Sequence, residues 1–296
     1  MISIEEKQYW IWLTTICKIG NKKIKKLLIQ YKTPKRIYDA TFSELMQVDG
    51  IDTKIANIII NSRKKEIIDQ VEYIENNNIE IIPINSRYYP LLLRNIYDSP
   101  ICLYIKGNKK ILNNIGIGII GSRMCTIEGA RTAKKIAYDL AKNEINIISG
   151  LARGIDVSAH IGAIYAKKPT IAILGSGLDS IYPSEHKKVV DKILEYDGTV
   201  ISEYPIFTKP EKHNFIARNR IISGISNGIL VVEAKNKSGT SLTVDFALEQ
   251  GRDIFAIPGS IYSENSEGTN NLIKNGAKLV DSYMDILEEY NLLKKE

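Results

Sequence analysis

Three glycines at residues 116, 118 and 121 spell G-x-G-x-x-G within the stretch "GIGIIGSRMC". In nicotinamide and flavin enzymes this spacing follows a strand and lets the backbone approach a pyrophosphate. The same chemistry needs an Asp or Glu about 20 residues further on to accept hydrogen bonds from the ribose. Here the next predicted strand ends in "IISGLARG", which contains no carboxylate, and Gly116 and Gly118 lie inside the apolar run. The glycines therefore predict close strand packing, and no cofactor is expected.

Loops of small residues and arginine follow several predicted strands. Small residues let backbone N–H groups and helix N-termini face an anion, and arginine adds a bidentate donor suited to phosphate. Each loop taken alone is explained by the small residues that a tight turn requires. The recurrence of such loops at several strand ends instead indicates a surface that contacts several phosphates, as in a strand of nucleic acid. The loops contain Gly121, Ser122 and Arg123; Gly150, Leu151, Ala152, Arg153 and Gly154; residues 175–177; and residues 258–260.

The segment "KPEKHNFIARNRIISG" (209–224) adds cations, amides and an aromatic ring. Such a combination holds single strands, because every base has a face that stacks on a ring and contributes about 1–3 kcal/mol. The alternative is a core phenylalanine beside a solvated basic helix face, which we favour less because the cluster lies where a helix begins. The candidate residues for binding a single strand here are Lys212, Asn214, Phe215, Arg218, Asn219 and Arg220.

Four groups are candidates for acid–base chemistry instead: Asp156, His160, Glu203 and Glu233. A hydrolase that cleaves nucleoside monophosphates at the glycosidic bond, on a related fold, would use such groups and is the alternative function. These groups also have structural explanations. Asp156 lies at a helix start, where it satisfies backbone donors, and His160 is a packed or hydrogen-bonded side chain. Glu233 would orient Arg218, Arg220 or the loop at 238–241. The sequence contains no P-loop, no Ser-His-Asp set and no metal-ligand spacing. We therefore predict a binding protein without catalytic or metal-binding residues.

The elements that must position these residues alternate along the chain from about residue 79. Near-continuous apolar strands separated by amphipathic helices predict an α/β fold with a Rossmann-like, doubly wound and mostly parallel sheet. Such folds bind ligands at the carboxyl ends of their strands. Strands are predicted over 79–84, 101–106, 115–120, 145–149, 170–175, 199–203, 228–233 and 253–258. Helices are predicted near 127–143, 155–167, 185–196, 214–226 and 240–250.

Residues 1–68 predict a small all-α domain ahead of a Rossmann-like domain over 69–296 that carries the nucleic-acid surface. The stretches "CKIGNKKIKKLLIQ" and "VDGIDTKIANIII" share an outline that resembles the helix-hairpin-helix motif. Asp52 occupies the position of the usual second turn glycine in one copy, and an aspartate repels phosphate. The lysine excess of this region has two explanations, a solvated helix surface or a nucleic-acid patch. We favour a packing or partner-binding module.

The composition fits a globular protein, with 44% hydrophobic residues and a net charge of +6. That charge permits a polyanionic partner without requiring one. No apolar run reaches the length of about 18 residues that a membrane span needs, and no signal peptide is predicted at the start. The three cysteines, Cys17, Cys102 and Cys125, lie far apart, which is typical of a reducing cytoplasm.

Longer motifs occur in a characteristic order: "GSR", "SGLARGIDVSAH", "GSGLDSIYPSEH", "SEYP", "FIARNRIISGIS", "LVVEA", "SGTSLTVDFALEQGRDIFAIPGS" and "EGTNNLIKNGA". In this order they resemble the DNA-processing protein A (DprA, also called Smf) family over about residues 80–280. The helical region before them resembles that family's common N-terminal helix-hairpin-helix or SAM-like extension. Where many members read "FPxRNR", this chain reads "FIARNR".

The resemblance implies a bacterial cytoplasmic protein that binds single-stranded DNA, protects incoming strands during natural transformation and loads RecA. It also implies a homodimer formed through the Rossmann-like domain, no cofactor and no catalysis. Its DNA pocket would use Arg123, the backbone of residues 150–154, Lys212 and Phe215, with Arg218 and Asn219 nearby. The C-terminal winged helix of many members is not expected. The run "SYMDILEEYNLLKK" predicts a helix packed on the sheet, with a contribution to a RecA or dimer contact as the alternative.

Overall fold

The computed structural model describes residues 4–16, 19–63, 67–236 and 238–292. Cys17 lies outside the described residues, as do parts of the lysine-rich N-terminal stretch and the last residues of the terminal run.

Short helices fill the N-terminal region, and several begin at capping side chains that the sequence supplies. The helices are α1 (Ile4–Thr15), α2 (Asn21–Tyr31), α3 (Pro34–Asp39), α4 (Phe42–Leu45), α5 (Thr53–Ser62) and α6 (Ile68–Asn76). Asp52 accepts a hydrogen bond from the Ile55 N–H at 2.8 Å, so this aspartate caps α5. Gly20 and Gly50 precede α2 and α5 with φ of 79° and 82°, a left-handed conformation that favours glycine.

Helix α1 packs its apolar side chains against the edge of the sheet that follows. Trp10, Ile11 and Leu13 are buried in a cluster that also contains Ile81 and Tyr104. The hydroxyls of Thr14 and Tyr104 lie 2.6 Å apart. The N-terminal helices and the sheet therefore share one continuous core, and the predicted domain boundary near residue 68 stays a prediction.

A nine-stranded sheet forms the centre of the molecule, in the order β1-β2-β6-β5-β4-β3-β7-β8-β9. The strands are β1 (Glu80–Pro83), β2 (Cys102–Gly107), β3 (Gly116–Ile120), β4 (Asn146–Ser149), β5 (Thr170–Ile173), β6 (Thr199–Ser202), β7 (Gly228–Val231), β8 (Asp253–Ala256) and β9 (Lys278–Leu279). Strand β2 is antiparallel to β1 and β6, and the pairs from β6 through β9 are parallel. The predicted Rossmann-like sheet is confirmed.

Helices cover both faces of the sheet. They are α7 (Leu91–Arg94), α8 (Ile127–Lys142), α9 (Ile155–Tyr165), α10 (Lys187–Glu195), α11 (Lys212–Ile225), α12 (Gly239–Glu249), α13 (Glu264–Lys274) and α14 (Tyr283–Glu289). Strand residues alternate between the two faces: Ile119 and Leu230 pack with α8, α9 and α14, and Ile120 and Val231 pack with α11 and α12. Ile286 and Leu287 of α14 are buried, as expected for a terminal helix on the sheet.

The glycines of the G-x-G-x-x-G stretch serve packing within β3. A Cβ on Gly118 would lie 2.4 Å from the Ile229 side chain and 2.8 Å from the Ser226 hydroxyl, so only glycine fits between β7 and the end of α11. Gly116 is similarly enclosed by Ile148 and Asn146. Both lie inside the strand as the sequence predicted.

Candidate functional site

The chain reverses its direction of winding between β3 and β7, which are neighbours in the sheet. Strand β3 leads through α8 to β4 on one side, and β7 leads through α12 to β8 on the other. Ligands in doubly wound folds bind in the crevice beyond the carboxyl ends of strands at such a switch point. A cleft of about 1110 Å³ lies at this place.

The cleft gathers most of the residues that the sequence singled out. Those that line it are Gly121, Ser122, Arg123, Ala152, Lys212, Phe215, Arg218 and Asn219. Arg123 and Lys212 are exposed, and neither side chain makes a hydrogen bond or an ion pair with any residue of the described ranges. Two unpaired cations from distant segments therefore face one concave surface.

Backbone contacts hold the two arginine-containing loops together. The Ser122 N–H donates to the Glu233 carbonyl at 2.8 Å, and the Ile155 N–H donates to the Ser122 carbonyl at 3.3 Å. Gly154 has φ of 78°, and a Cβ there would lie 2.3 Å from the Ser122 carbonyl oxygen. A glycine at 154 is thus required for the second loop to approach the first.

Glu233 supports this arrangement in a different way from the one predicted. Its carboxylate accepts hydrogen bonds from the Thr126 N–H at 2.9 Å and from the Thr126 hydroxyl at 2.5 Å. Thr126 in turn caps α8 through the Gly129 N–H. The expectation that Glu233 orients Arg218, Arg220 or the 238–241 loop was wrong. The turn after β3 places Thr126 beside the Glu233 carboxylate, and Thr126 takes its hydrogen bonds.

Arg218 lines the cleft from a buried position. Its Nη1 donates to the Gly150 carbonyl at 2.6 Å and also to the Ile173 carbonyl, so it joins the ends of β4 and β5. A Cβ on Gly150 would lie 2.6 Å from this guanidinium. Burial lowers the pKa of Arg218 to about 10, while the Asp156 carboxylate favours its charged form. Its observed contacts are those of a structural brace.

Aromatic rings form another part of the wall. Phe215 packs on Gly175, where a Cβ would lie 2.7 Å from the ring. The ring of Tyr182 lies 5.4 Å from that of Phe215, centroid to centroid, and Tyr182 is 45% exposed. Tyr182 was not among the predicted site residues, although the motif "GSGLDSIYPSEH" contains it.

Helix α11 presents different residues on two of its faces. Residues three or four apart share a helix face. Lys212, Phe215 and Asn219 face the cleft, whereas Asn214 and Arg220 line a separate cavity of about 590 Å³ beside the N-terminal helices. The predicted DNA contacts of Asn214 and Arg220 are therefore placed away from the cleft.

Arg220 is engaged by carboxylates in that second cavity. It pairs with Glu203 at 2.6 Å and with Asp98 at 3.0 Å. Burial opposes the charge of Arg220, but the two carboxylates outweigh it and raise the pKa of the guanidinium above its usual value.

The remaining predicted residues lie behind or beside the cleft. Gly150 contacts Arg218, and Gly154 contacts the 122–123 turn, as described above. Leu151 is buried with φ of 56°, and its carbonyl contacts the His186 ring at 2.8 Å. Arg153 points outward and pairs with Glu185 at 2.6 Å.

The candidate acid–base groups do not converge. Asp156 accepts a hydrogen bond from the Gly150 N–H at 3.2 Å, and burial raises its pKa. His160 is fully buried 2.8 Å from the Thr170 hydroxyl, and burial lowers its pKa to about 3. Glu203 and Glu233 are held by Arg220 and Thr126. This arrangement gives no general acid facing a general base.

Within the described ranges, no group of His, Cys, Asp and Glu side chains is placed to hold a metal ion. Over the same ranges, no helix combines the length and apolar character needed to cross a bilayer.

The loop after β7 completes the cleft and was not among the predicted site residues. The loop contributes Lys235, Asn236 and Ser238, and the start of α12 contributes Gly239, Thr240, Ser241, Leu242 and Thr243. The sequence signal was present as "AKNKSGTS" directly after an apolar strand, the same pattern of small and basic residues that marked the other loops.

Comparison with known proteins gives consistent matches. The family model described as DNA recombination-mediator protein A matches residues 80–291. The DNA processing protein DprA of Streptococcus pneumoniae is 46% identical over 202 residues, which are 68% of this chain and 71% of that protein. Protein Smf of Escherichia coli is 39% identical over 244 residues, which are 82% of this chain and 65% of that protein.

Solved structures agree with this match. The X-ray structure of DprA from Streptococcus pneumoniae is similar with a TM-score of 0.84 and 36% identity, covering 97% of this chain and 98% of that chain. A structure of DNA processing protein A from Helicobacter pylori, described for its single-stranded DNA binding mode, has a TM-score of 0.65 and 29% identity. It covers 72% of this chain and 95% of that chain.

Proposed function

The chain belongs to the DNA recombination-mediator protein A family, and from this premise we propose that it binds single-stranded DNA in the cleft between β3 and β7. One observation carries the proposal: the unpaired cations Arg123 and Lys212 share this cleft with the rings of Phe215 and Tyr182. Cations that meet phosphates beside rings that stack bases are the two components of a single-strand site.

The apolar part of the cleft supports a single strand over a duplex. Phe215 and Tyr182 offer ring faces, and Ile216 and Leu242 are 41% and 40% exposed in the same lining. Bases stack on such a surface only when they are unpaired, since a duplex buries their faces within its own stack. We therefore propose that the cleft selects unpaired strands.

The family membership extends the proposal to the biological role. The protein protects incoming single strands in the cytoplasm during natural transformation or recombination and loads the RecA recombinase on them. It acts as a homodimer through the Rossmann-like domain and performs no catalysis on the strand. The apolar side chains of Leu248 in α12 and Leu279 in β9 are 59% and 45% exposed, which is consistent with a protein contact.

The test compares two arginines that differ in position. Arg123 lines the cleft, whereas Arg153 lies outside it in an exposed ion pair with Glu185. We expect Arg123→Ala to weaken binding of a fluorescent oligothymidylate at least about tenfold, because a charge-assisted contact contributes about 1.5–3 kcal/mol. Arg153→Ala serves as the matched control and is expected to bind within about twofold of the wild type.

Salt dependence provides a second readout from the same titrations. Each neutralised phosphate of a single strand contributes about 0.7 to the slope of log affinity against log salt, so Arg123→Ala and Lys212→Ala should each reduce that slope by about 0.7. Equal effects of Arg123→Ala and Arg153→Ala, or a preference for duplex over single strand, would contradict the proposed site.

A further inference from the structure

Helix α12 begins at the cleft with an open N-terminus. Its N-cap, Ser238, makes no side-chain capping hydrogen bond, and its first turn contains no acidic residue. The first N–H groups of a helix have no partner within the helix, and together they attract an anion. The N-terminus of α8 across the cleft is different, because Thr126 caps it and Glu233 holds Thr126.

Several hydroxyls at the start of α12, those of Ser238, Thr240 and Thr243 among them, have no hydrogen-bond partner in the described residues. Thr240 and Thr243 line the cleft although they are only 9% and 3% exposed, and neither hydroxyl makes a hydrogen bond within the part of the chain that the structure describes. The Ser238 Oγ is buried without a partner there, which costs free energy. The Thr240 and Thr243 hydroxyls are not fully buried atoms, so they are free to donate to an acceptor that enters the cleft.

Gly239 leaves room for such a ligand. It is the first residue of α12 and lines the cleft, and a Cβ built on it would meet no atom of the described residues within 4 Å. Its φ is not in the left-handed region, so the backbone itself does not require glycine. The cleft is therefore open beside the first residue of α12.

We propose that the N-terminus of α12 is a second phosphate subsite of the cleft, formed by Ser238, Gly239, Thr240 and Thr243. It binds one phosphodiester of the strand that Arg123 and Lys212 hold, and it does so with hydrogen-bond donors and the helix dipole rather than with a cation. The inference rests on the proposed function and adds a position to it. The strand then crosses the switch point, from the loop after β3 to the loop after β7.

The first test uses a pair of substitutions at one position. Gly239→Asp places a carboxylate where the phosphate would lie, and an aspartate in the first turn of a helix is itself favourable. We expect this variant to lose at least about tenfold in affinity for single-stranded DNA while its thermal unfolding midpoint is unchanged or higher. Gly239→Ala adds a methyl group but no charge, so it is expected to lose clearly less affinity than Gly239→Asp. Wild-type affinity of Gly239→Asp would overturn the proposal.

The second test removes hydroxyls without adding charge. Thr240→Val and Thr243→Val keep the side-chain shape, and each is expected to weaken binding about five- to tenfold with the salt slope unchanged. Lys212→Ala, in contrast, reduces that slope. A smaller salt slope for the valine variants would contradict a phosphate subsite without a cationic side chain. Wild-type affinity of both variants would also contradict it.

The third test identifies the phosphate. A set of oligothymidylates carries one uncharged methylphosphonate in place of a phosphodiester, at a different position in each. The wild type should lose affinity when the replaced phosphodiester is the one bound at α12. At that position Thr240→Val should show no further loss, because it has already lost the contact. An effect confined to a 5′-phosphate would instead identify a strand end and overturn binding of an internal phosphodiester. Arg123→Ala separates the two proposals: if it weakens binding while every α12 variant binds as the wild type does, only the subsite is refuted.

Discussion

Glu203→Gln tests whether α11 divides its basic residues between binding and stability. Arg220 projects away from the cleft and pairs with Glu203 and Asp98. The side chains of Arg220 and Glu203 are only 8% and 11% exposed. Glutamine keeps the shape of Glu203 and one acceptor oxygen but removes the charge, so Arg220 remains buried with the half-exposed Asp98 alone.

The magnitude follows from this burial. Removing one partner of a buried ion pair costs about 3–5 kcal/mol, because the other charge is left without compensation. Asp98 and the amide oxygen retain part of the interaction, so we expect a loss of about 2–3 kcal/mol in the free energy of unfolding. For a chain of this size that corresponds to a decrease of about 4–12 °C in the midpoint of thermal unfolding.

The assay combines a thermal melt with a binding titration performed well below the midpoint. Glu203→Gln should melt earlier and yet bind single-stranded DNA within about twofold of the wild type, since Arg220 does not line the cleft. Glu185→Gln is the matched control, because it removes an exposed pair whose side chains are 59% and 49% accessible. Such a pair contributes less than about 1 kcal/mol.

Two results would refute the reasoning. An unchanged midpoint would mean that the buried pair contributes nothing to stability. A loss of DNA affinity as large as that of Lys212→Ala, in protein that is still folded, would mean that Arg220 belongs to the binding surface after all.

Three further predictions concern other parts of the site. Phe215→Leu should weaken single-strand binding by about 1–3 kcal/mol through lost base stacking with little change in salt slope, and an undiminished affinity in anisotropy titrations would exclude stacking. Gly150→Ala should lower the free energy of unfolding by about 1–3 kcal/mol, because its Cβ would lie 2.6 Å from the Arg218 guanidinium. Denaturant titration measures this change, and an unchanged midpoint would argue against Arg218 as a structural brace. Because burial, with the charges of His186 and Arg218, lowers the pKa of His160 to about 3, its unfolded form binds a proton below about pH 6.5 before the folded form does. Stability should therefore fall as pH decreases from about 6.5 toward 3, by about 2 kcal/mol between pH 7 and 5, and His160→Gln should remove this part of the slope in denaturant titrations at the two pH values.

The local pattern was sufficient to predict most of the fold. Every strand predicted from a β-branched run is present, and the main helices lie within a few residues of their predicted bounds. Strand β9 (Lys278–Leu279) was missed because two residues carry no periodic signal. Helix α13 (Glu264–Lys274) was missed because its sequence is mostly polar and buries little beyond Thr269.

The convergence of the loops was also predictable, since the carboxyl ends of parallel strands meet at one edge of a sheet. The assignment of individual side chains was not. Arg218, Asn219 and Arg220 are consecutive in the sequence, and successive helical residues point about 100° apart. Only the packing of α11 on the sheet determines that Asn219 faces the cleft while Arg220 faces Glu203.

The sequence by itself determined the α/β fold, the family and the chemical character of the strand-end loops, because periodicity, turn residues and charged side chains are local properties of the chain. The tertiary structure decided which cations remain unpaired, that Tyr182 joins Phe215, and that the start of α12 opens on the same cleft. Those features depend on distances between segments far apart in the chain, and such distances arise only when the sheet forms and its switch point brings β3 and β7 together.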